Sequence, residues 1–324
     1  MPDFIGFDTS NYTTSAAVVG RGSDGKTDRN APFIILNERI PLEVAEGGRG
    51  LRQSDALFAH TVNMPKLTTK LGAVKLGGGT EAVGCSVSPR DVAGSYMPCF
   101  LAGIAAASTC ADLLGVPLYK FSHQAGHIAA ALYGCGKLSL WRDGGEFLAW
   151  HVSGGTTELL HVKNRVIEQL GSTLDISAGK AIDRIGVTLG LHFPCGAQLE
   201  KLAERGELGG APIKTSVSGC DFNLSGLENK AAELLARGKE PSDVALFTLE
   251  FIIRTLIAAT ENAAARFSGL PLICAGGVMS NKRVAQAFHR NFEASFAPPE
   301  LSCDNAAGIA LLTEMGHTGE IKYD

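Results

Sequence analysis

The sequence predicts an α/β fold of two similar lobes, each opened by a strand–turn–strand unit, with a ligand held between them. Three stretches carry that reading. Phe147–Val162 (FLAWHVSGGTTELLHV) is an apolar run, a small polar turn and a second apolar run. Phe4–Val19 (FIGFDTSNYTTSAAVV) has the same shape around Asp8, Thr9, Ser10, Asn11, Thr13 and Thr14. Leu272–Asn281 (LICAGGVMSN) is a strand that ends in Gly276–Gly277 and leads into a helix from about Asn281. Adjacent glycines let backbone N–H groups face outward with no Cβ in the way, and Ser and Thr hydroxyls add donors, so such turns suit a phosphate or another oxyanion. A glycine pair at the carboxyl end of a strand, before a helix, faces the nucleotide in many α/β folds.

Two strand–turn–strand units, one opening each half of the chain, point to a duplication. In this order the three stretches resemble the actin-like ATPase fold of sugar kinases, Hsp70 and actin (ASKHA, RNase H-like lobes). The resemblance implies a nucleotide and metal cleft between the lobes. It places an N-terminal lobe over residues 1–120, with the C-terminal helix, 305–324, packing back on it, and a C-terminal lobe over 121–304.

Composition narrows the class. A chain of 324 residues suffices for about two domains, and 45% hydrophobic residues is ordinary for a globular protein. No apolar run reaches the roughly 18 residues that a bilayer span needs, so no membrane partner is expected. The N-terminus enters a strand at once, with no basic segment before an apolar core, so no signal peptide is expected. The eight cysteines show no CxxC spacing and read as reduced thiols of a cytoplasmic protein, not as a disulfide frame or zinc site. A net charge of −4 excludes a chain that grips RNA by an overall basic excess. Any nucleic-acid contact must come from a local patch or a partner subunit.

The elements follow in order. After a polar turn at 20–30, Phe33–Leu42 alternates as a third strand and completes a meander. A glycine-rich loop, 45–51, precedes a helix over Gln53–Leu71, with Leu57, Phe58, Val62 and Leu67 on one side and a break at Pro65. Ala82–Ser88 is a strand, and 89–98 a loop. Cys99–Gly115 is an Ala- and Leu-rich helix stopped by Gly115 and Pro117. Val116–Phe121 is a strand and His123–Tyr133 a helix. The second half repeats the scheme with strands 147–152, 158–162, 165–170 and 272–275, and helices near 179–190, 196–205, 225–237, 241–267 and 281–292. Residues 206–220 form a polar loop, and 305–315 a closing helix.

Two constellations suggest chemistry. His123-Gln-Ala-Gly-His127 sets imidazoles at i and i+4, on one helix face about 5–6 Å apart at Cβ, which suits a divalent metal. The zincin motif shares this spacing but needs a Glu after the first His, and Gln124 cannot act as that base, so a peptidase is disfavoured. The alternative is two surface histidines. Asp304, in Cys-Asp-Asn-Ala-Ala, is either the N-cap of the last helix or the carboxylate of a His₂Asp set fit for iron, zinc or manganese. Asp175 reads as a helix cap. Asp183 faces inward with Ile182 or outward with Arg184, and the turn Phe193–Gly196 suits a nucleotide contact.

Collinear segments then resemble one family: IGFDTS (5–10), HQAGH (123–127), VSGGTTEL (152–159), LDISAGKAIDR (174–184) with LGLHFPCG (189–196), FNLSGL (222–227), AGGVMSN (275–281) and CDNAA (303–307). Together they are similar to the universal tRNA threonylcarbamoyltransferases, formerly called the O-sialoglycoprotein endopeptidase or glycoprotease family. The resemblance implies one divalent metal, iron or zinc before others, held by His123, His127 and Asp304. It implies ATP or an adenylate contacted by Val152, Ser153, Gly154, Gly155, Asp183, Gly196 and Asn281, with Gly276 and Gly277 beside it. Family members transfer a threonylcarbamoyl group from its adenylate to a tRNA adenosine. The adenosine amine is the nucleophile, so no catalytic protein nucleophile is assigned. Members also pair, here with a second copy or a related actin-like subunit, through the N-terminal lobe.

Departures from the family pattern mark a diverged paralogue. Asn11-Tyr12-Thr13-Thr14 replaces Cys-Asp-Asp/Glu-Thr, Arg52–His60 replaces Gly-Gly-Val-Val-Pro-Glu, and Ser88–Pro98 replaces Gly-Pro-Gly-Leu. Thr156 stands for a histidine, Cys195 for a glycine, Ile176 for Asp and Lys180 for Glu. Two readings stand. The retained His₂Asp set favours a metal-dependent carbamoyltransferase acting on tRNA or another acceptor. The lost acidic positions favour a non-catalytic or regulatory ATP- and metal-binding module acting through a partner subunit. A sugar-kinase-type phosphotransferase would need an Asp in the cleft, Asp8 or Asp183, and nothing selects either.

Overall fold

The computed structural model describes residues 2–10, 12–22, 31–43, 51–74, 79–210 and 213–321. Most of the expected turn 20–30, and all of the glycine-rich loop 45–51 but Leu51, lie outside them. The elements run β1 (Asp3–Ser10), β2 (Thr13–Arg21), β3 (Pro32–Pro41), α1 (Gln53–Gly72), β4 (Thr80–Ser88), α2 (Phe100–Leu114), β5 (Leu118–Ser122), α3 (His123–Gly134), α4 (Ser139–Arg142), β6 (Glu146–Val152), β7 (Thr157–Lys163) and β8 (Val166–Ser172). They continue through α5 (Ala178–Thr188), α6 (Gly196–Ala203), β9 (Ser216–Ser218), β10 (Asp221–Asn223), α7 (Gly226–Ala236), α8 (Pro241–Arg266), β11 (Leu272–Ala275), α9 (Lys282–Asn291), β12 (Ala294–Phe296), α10 (Pro299–Ser302) and α11 (Ala307–His317). Two compact units result: Met1–Arg142 with Asp304–Asp324, and Asp143–Cys303. Among the described residues no helix is long and apolar enough to cross a membrane.

The first unit holds a five-stranded sheet in the order β3-β2-β1-β4-β5, with β1, β2 and β3 antiparallel and β4 and β5 parallel to β1. The second holds β12-β11-β6-β7-β8, the same order read from the opposite edge: β6–β8 antiparallel, β11 and β12 parallel to β6. The duplication expected from the turns is thus a repeated sheet topology. The fifth strand of the second sheet, β12, is not among the strands expected from the sequence, because three residues before Pro298 give no readable alternation. The short hairpin β9–β10 lies partly in the stretch expected to be loop.

One face of the first sheet packs against α1 and α2. Ile5 and Phe7 of β1, Val83 and Cys85 of β4, and Ala16 and Val18 of β2 pack with Met64 and Leu67 of α1 and Ala107 and Ala111 of α2. On the other face β1 and β4 carry one glycine each, Gly6 and Gly84. A Cβ on Gly6 would lie 2.5 Å from the Ala310 backbone nitrogen, and one on Gly84 would strike the Thr313 hydroxyl, so α11 lies directly on the strands. α3 packs on α11 in turn, with Ile309 filling the space beside Gly126. That packing keeps α3 in the first unit, which runs to Arg142, whereas the sequence division falls at 120.

α1 departs from expectation twice. It runs unbroken through Pro65. Proline removes one ladder bond to Thr61 O, while hydroxyls add side-chain bonds to neighbouring carbonyls: Thr61 Oγ1 donates to Leu57 O, and Thr68 and Thr69 donate to Pro65 O. Its buried stripe is Ala56, His60, Asn63, Met64 and Leu67, while Phe58 and Val62 are 71% and 49% exposed. Of the residues expected on one side, only Leu67 is buried. The sheet selects the stripe through His60, whose Nδ1 lies 2.9 Å from Thr14 Oγ1. α2 ends as expected at Gly115, in the left-handed region at φ 66°.

An ionic network around the buried Glu314 lies on the α11 side. Arg21 reaches Glu314 at 2.6 Å and Glu320 at 2.5 Å, and Arg142 also meets Glu320. Glu314 has no exposed side-chain surface, and burial outweighs Arg21 and pushes its carboxyl up to about 7. An acid whose pKa is higher in the folded state holds a proton that the unfolded chain has released. Its contribution is therefore greatest below pH 4.5 and is lost as pH rises to about 7, by roughly 3 kcal/mol at most. Urea midpoints of wild type should fall across that window, and Glu314→Gln should flatten the difference. Equal pH slopes in both proteins would refute the assignment.

Candidate functional site

The first unit gathers a cluster of metal-ligand type from separate points in the chain. β5 ends at Ser122, whose hydroxyl accepts from Ala125 N at 3.1 Å and so starts α3 at His123. His127 follows one turn on. The two Nε2 atoms lie 2.9 Å apart, with the rings close to perpendicular at 82°. Asp304 Oδ1 lies 3.2 Å from His127 Nε2 and 3.8 Å from His123 Nε2. A metal with bonds of about 2.1 Å sets cis ligands about 3.0 Å apart at right angles and about 3.4 Å apart in a tetrahedron. The three edges bracket those values, so the residues fit a divalent ion.

The carboxylate of Asp304 faces the two histidines. α11 starts at Ala307, and its first backbone N–H is taken by Asn305 Oδ1 at 3.0 Å. Both readings open from the sequence find support near the start of α11: Asn305 bonds its first turn, and Asp304 Oδ1 is turned to the histidines.

Asp8 completes the arrangement, in a role that no spacing in the chain suggests. It is fully buried near the end of β1, with Oδ1 2.8 Å from His123 Nδ1. A carboxylate only accepts, so it holds the proton on Nδ1 and leaves the Nε2 lone pair facing His127 and Asp304. Its Oδ2 is buried and has no hydrogen-bond partner among the described residues. The one sequence signal is its place at the carboxyl end of the central strand. Asp8→Asn should weaken metal binding by about 10–100-fold while the fold persists, as read by chelator competition. Unchanged affinity would show that Asp8 does not orient the ring.

The second unit brings together most of the candidate nucleotide residues. Val152 ends β6. Ser153 Oγ accepts from Gly155 N and Thr156 N, at 3.3 and 3.1 Å, closing the turn. α5 begins against that turn: Ser177 caps it and donates to Gly154 O at 2.7 Å, and Ala178 N donates to Thr157 Oγ1 at 2.8 Å. A Cβ on Gly179 would lie 2.5 Å from Gly154 Cα. Gly276 is at φ 101°, and any side chain there would overlap Val152 O, which accepts from Val278 N at 3.1 Å. Gly154, Gly155, Gly196 and Gly277 face open space.

The remaining residues have observed jobs of their own. Asn281 caps α9, its Oδ1 accepting from Arg283 N and Val284 N at 2.9 and 3.2 Å. Asp183, one turn along α5 from Gly179, accepts from Cys195 N at 2.8 Å next to Gly196, and burial raises its carboxyl above the usual range. Asp175 does not cap α5. It accepts from Leu224 N, Ser225 N and Ser225 Oγ; burial opposes its charge, but these bonds with Ile176 N hold it at about 2. None of the eight cysteines forms a disulfide, and burial pushes the thiols of Cys85 and Cys99 up to about 12.

A model of the tRNA N6-adenosine threonylcarbamoyltransferase family matches residues 94–311, which hold the histidine pair, the glycine turns and Asp304. The chain belongs to this family. A tRNA N6-adenosine threonylcarbamoyltransferase of Methanopyrus kandleri is 32% identical over 285 residues, covering 86% of this chain and 79% of that protein. One of Bacillus licheniformis is 30% identical over 345 residues, covering 99% and 94%. Among solved structures, T. kodakarensis HypF matches with TM-score 0.59 at 13% identity, over 98% of this chain and 48% of HypF. Component A of the Acidaminococcus fermentans (R)-2-hydroxyglutaryl-CoA dehydratase matches with TM-score 0.54 at 14% identity, over 98% and 100%. At such identities these two show the fold alone, which is actin-like. The threonylcarbamoyltransferase family match begins past β4, so Asp8 and the divergent turn at Tyr12–Thr14 lie before it.

Proposed function

We propose that the chain transfers a threonylcarbamoyl group from its adenylate to the N6 amine of a tRNA adenosine, with a divalent metal held by His123, His127 and Asp304. The observation that carries this is the convergence of those side chains, with Asp8 fixing the tautomer of His123. When bound, the metal supplies a Lewis acid that polarises a phosphate or carbamoyl oxygen. Asp8 keeps the first histidine in its ligating form. The turn Val152–Gly155, the start of α5 and Gly276–Gly277 offer a small-residue cradle for ATP or the adenylate. The adenosine amine attacks the carbamoyl carbon, and AMP leaves.

Pairing through the first unit belongs to the same reading. Phe58 and Val62 of α1 and Leu101 of α2 are large apolar residues at 71%, 49% and 43% exposure, which suits an actin-like partner. The loss of acidic residues at Tyr12 and Thr13 supports the second reading, a regulatory module. The deciding experiment gives purified protein iron or zinc and measures transfer of labelled threonylcarbamoyl from its adenylate to tRNA, beside elemental analysis. Metal-dependent transfer is expected. About one ion per chain with no transfer, alone or with a related subunit, would refute the enzyme and leave the module.

A further inference from the structure

We propose that the groove between α8 and α9 binds the phosphodiester backbone of the RNA acceptor, a proposal that rests on the tRNA reading above. Arg254 of α8 and Arg283 and Arg290 of α9 line a pocket of about 250 Å³, with Ile253 and Ile257 also on its wall and Glu250 the single acid. Residues 250, 253, 254 and 257 share one face of α8, and 283 and 290 share one face of α9, so two helices present their rows to the same space. Neither Arg254 nor Arg290 enters an ion pair or hydrogen bond among the described residues. Arg283 gives one N–H to Ala203 O at 3.4 Å and keeps its other donors.

Three guanidinium groups against one carboxylate make a basic site in a chain whose net charge is −4. Such a local patch is what RNA contact requires of an acidic chain. Guanidinium forks match phosphate oxygens in pairs. Arg283 and Arg290 stand two turns apart, about 10 Å along α9. That spacing favours phosphates repeated along a strand over one isolated phosphate, and the half-buried Ile257 gives apolar surface for a sugar face.

The test is tRNA binding by fluorescence anisotropy at salt from about 50 to 200 mM, for the full chain and for Arg254→Gln/Arg290→Gln. Each lost phosphate contact lowers the slope of log K against log salt by about 0.7–0.9. The double variant should lose about 1.4–1.8 from the slope and bind about tenfold or more weakly, with an unchanged thermal midpoint. Arg266→Gln, outside the groove, should keep the slope. Equal slopes in wild type and double variant, or an equal loss in Arg266→Gln, would overturn the proposal. So would inorganic phosphate or ATP binding that depends on the arginines while tRNA binding does not. Failure of the groove alone leaves transfer by wild type intact. Wild-type protein that does not bind tRNA overturns both readings.

Discussion

His127→Ala should strip the metal to background and lower transfer by about 10²–10³-fold or more. His127 is buried, and its Nε2 is the hub of the cluster, 2.9 Å from His123 Nε2 and 3.2 Å from Asp304 Oδ1. Without it the carboxylate and the remaining imidazole are 3.8 Å apart and offer two ligands, too few to hold a divalent ion tightly. The Ala variant also leaves a small cavity on α3, so its urea midpoint should be measured with and without chelator. A folded variant whose midpoint no longer responds to chelator, set against a wild type that does, isolates the metal from the packing. Metal content equal to wild type would refute the assignment of this ligand.

The second large effect is structural. Gly308→Ala should destabilise the first unit by about 3 kcal/mol or more. A Cβ there would overlap the Gly126 carbonyl oxygen and approach Ala130 N to 3.0 Å. Both obstacles are backbone, so no side chain can rotate away. Alanine favours a helix over glycine by about 1 kcal/mol, and the overlap costs more than that gain. α11 cannot simply lift off, because Ile309, Leu311, Leu312 and Met315 are buried on it. Asp304 lies three residues before this helix, so metal affinity should fall together with the urea midpoint. Gly277→Ala, which meets open space, should stay within about 0.5 kcal/mol of wild type. A Gly308→Ala protein as stable as wild type would show that α3 and α11 do not pack this closely.

Much of the architecture is legible in the sequence because it is locally encoded. Apolar runs around small polar turns mark β1–β2 and β6–β7, and Gly115 marks the end of α2. The HQAGH spacing alone puts two imidazoles on one face of α3. Where local signals conflict, they mislead. Pro65 argues for a break, and the helix passes through it because one missing N–H costs less than giving up the buried contacts of Met64 and Leu67. Phe58 and Val62 read as core by apolarity, yet the sheet takes the stripe through His60 and Asn63.

The candidate site divides in the same way. Which residue types are present, and that two histidines share a helix face, follows from the sequence by itself. That Asp304 meets His127 across 177 residues, and that Asp8 meets His123 across 115, follows only from the folded sheet. The order β3-β2-β1-β4-β5 places the end of β1 near the end of β5, where α3 begins, and glycines at Gly6, Gly84 and Gly308 let α11 come close enough to deliver Asp304. Periodicity within a segment fixes the elements. Their convergence depends on sheet order and on the atomic clearance between helices and strands, and only the tertiary structure holds that information.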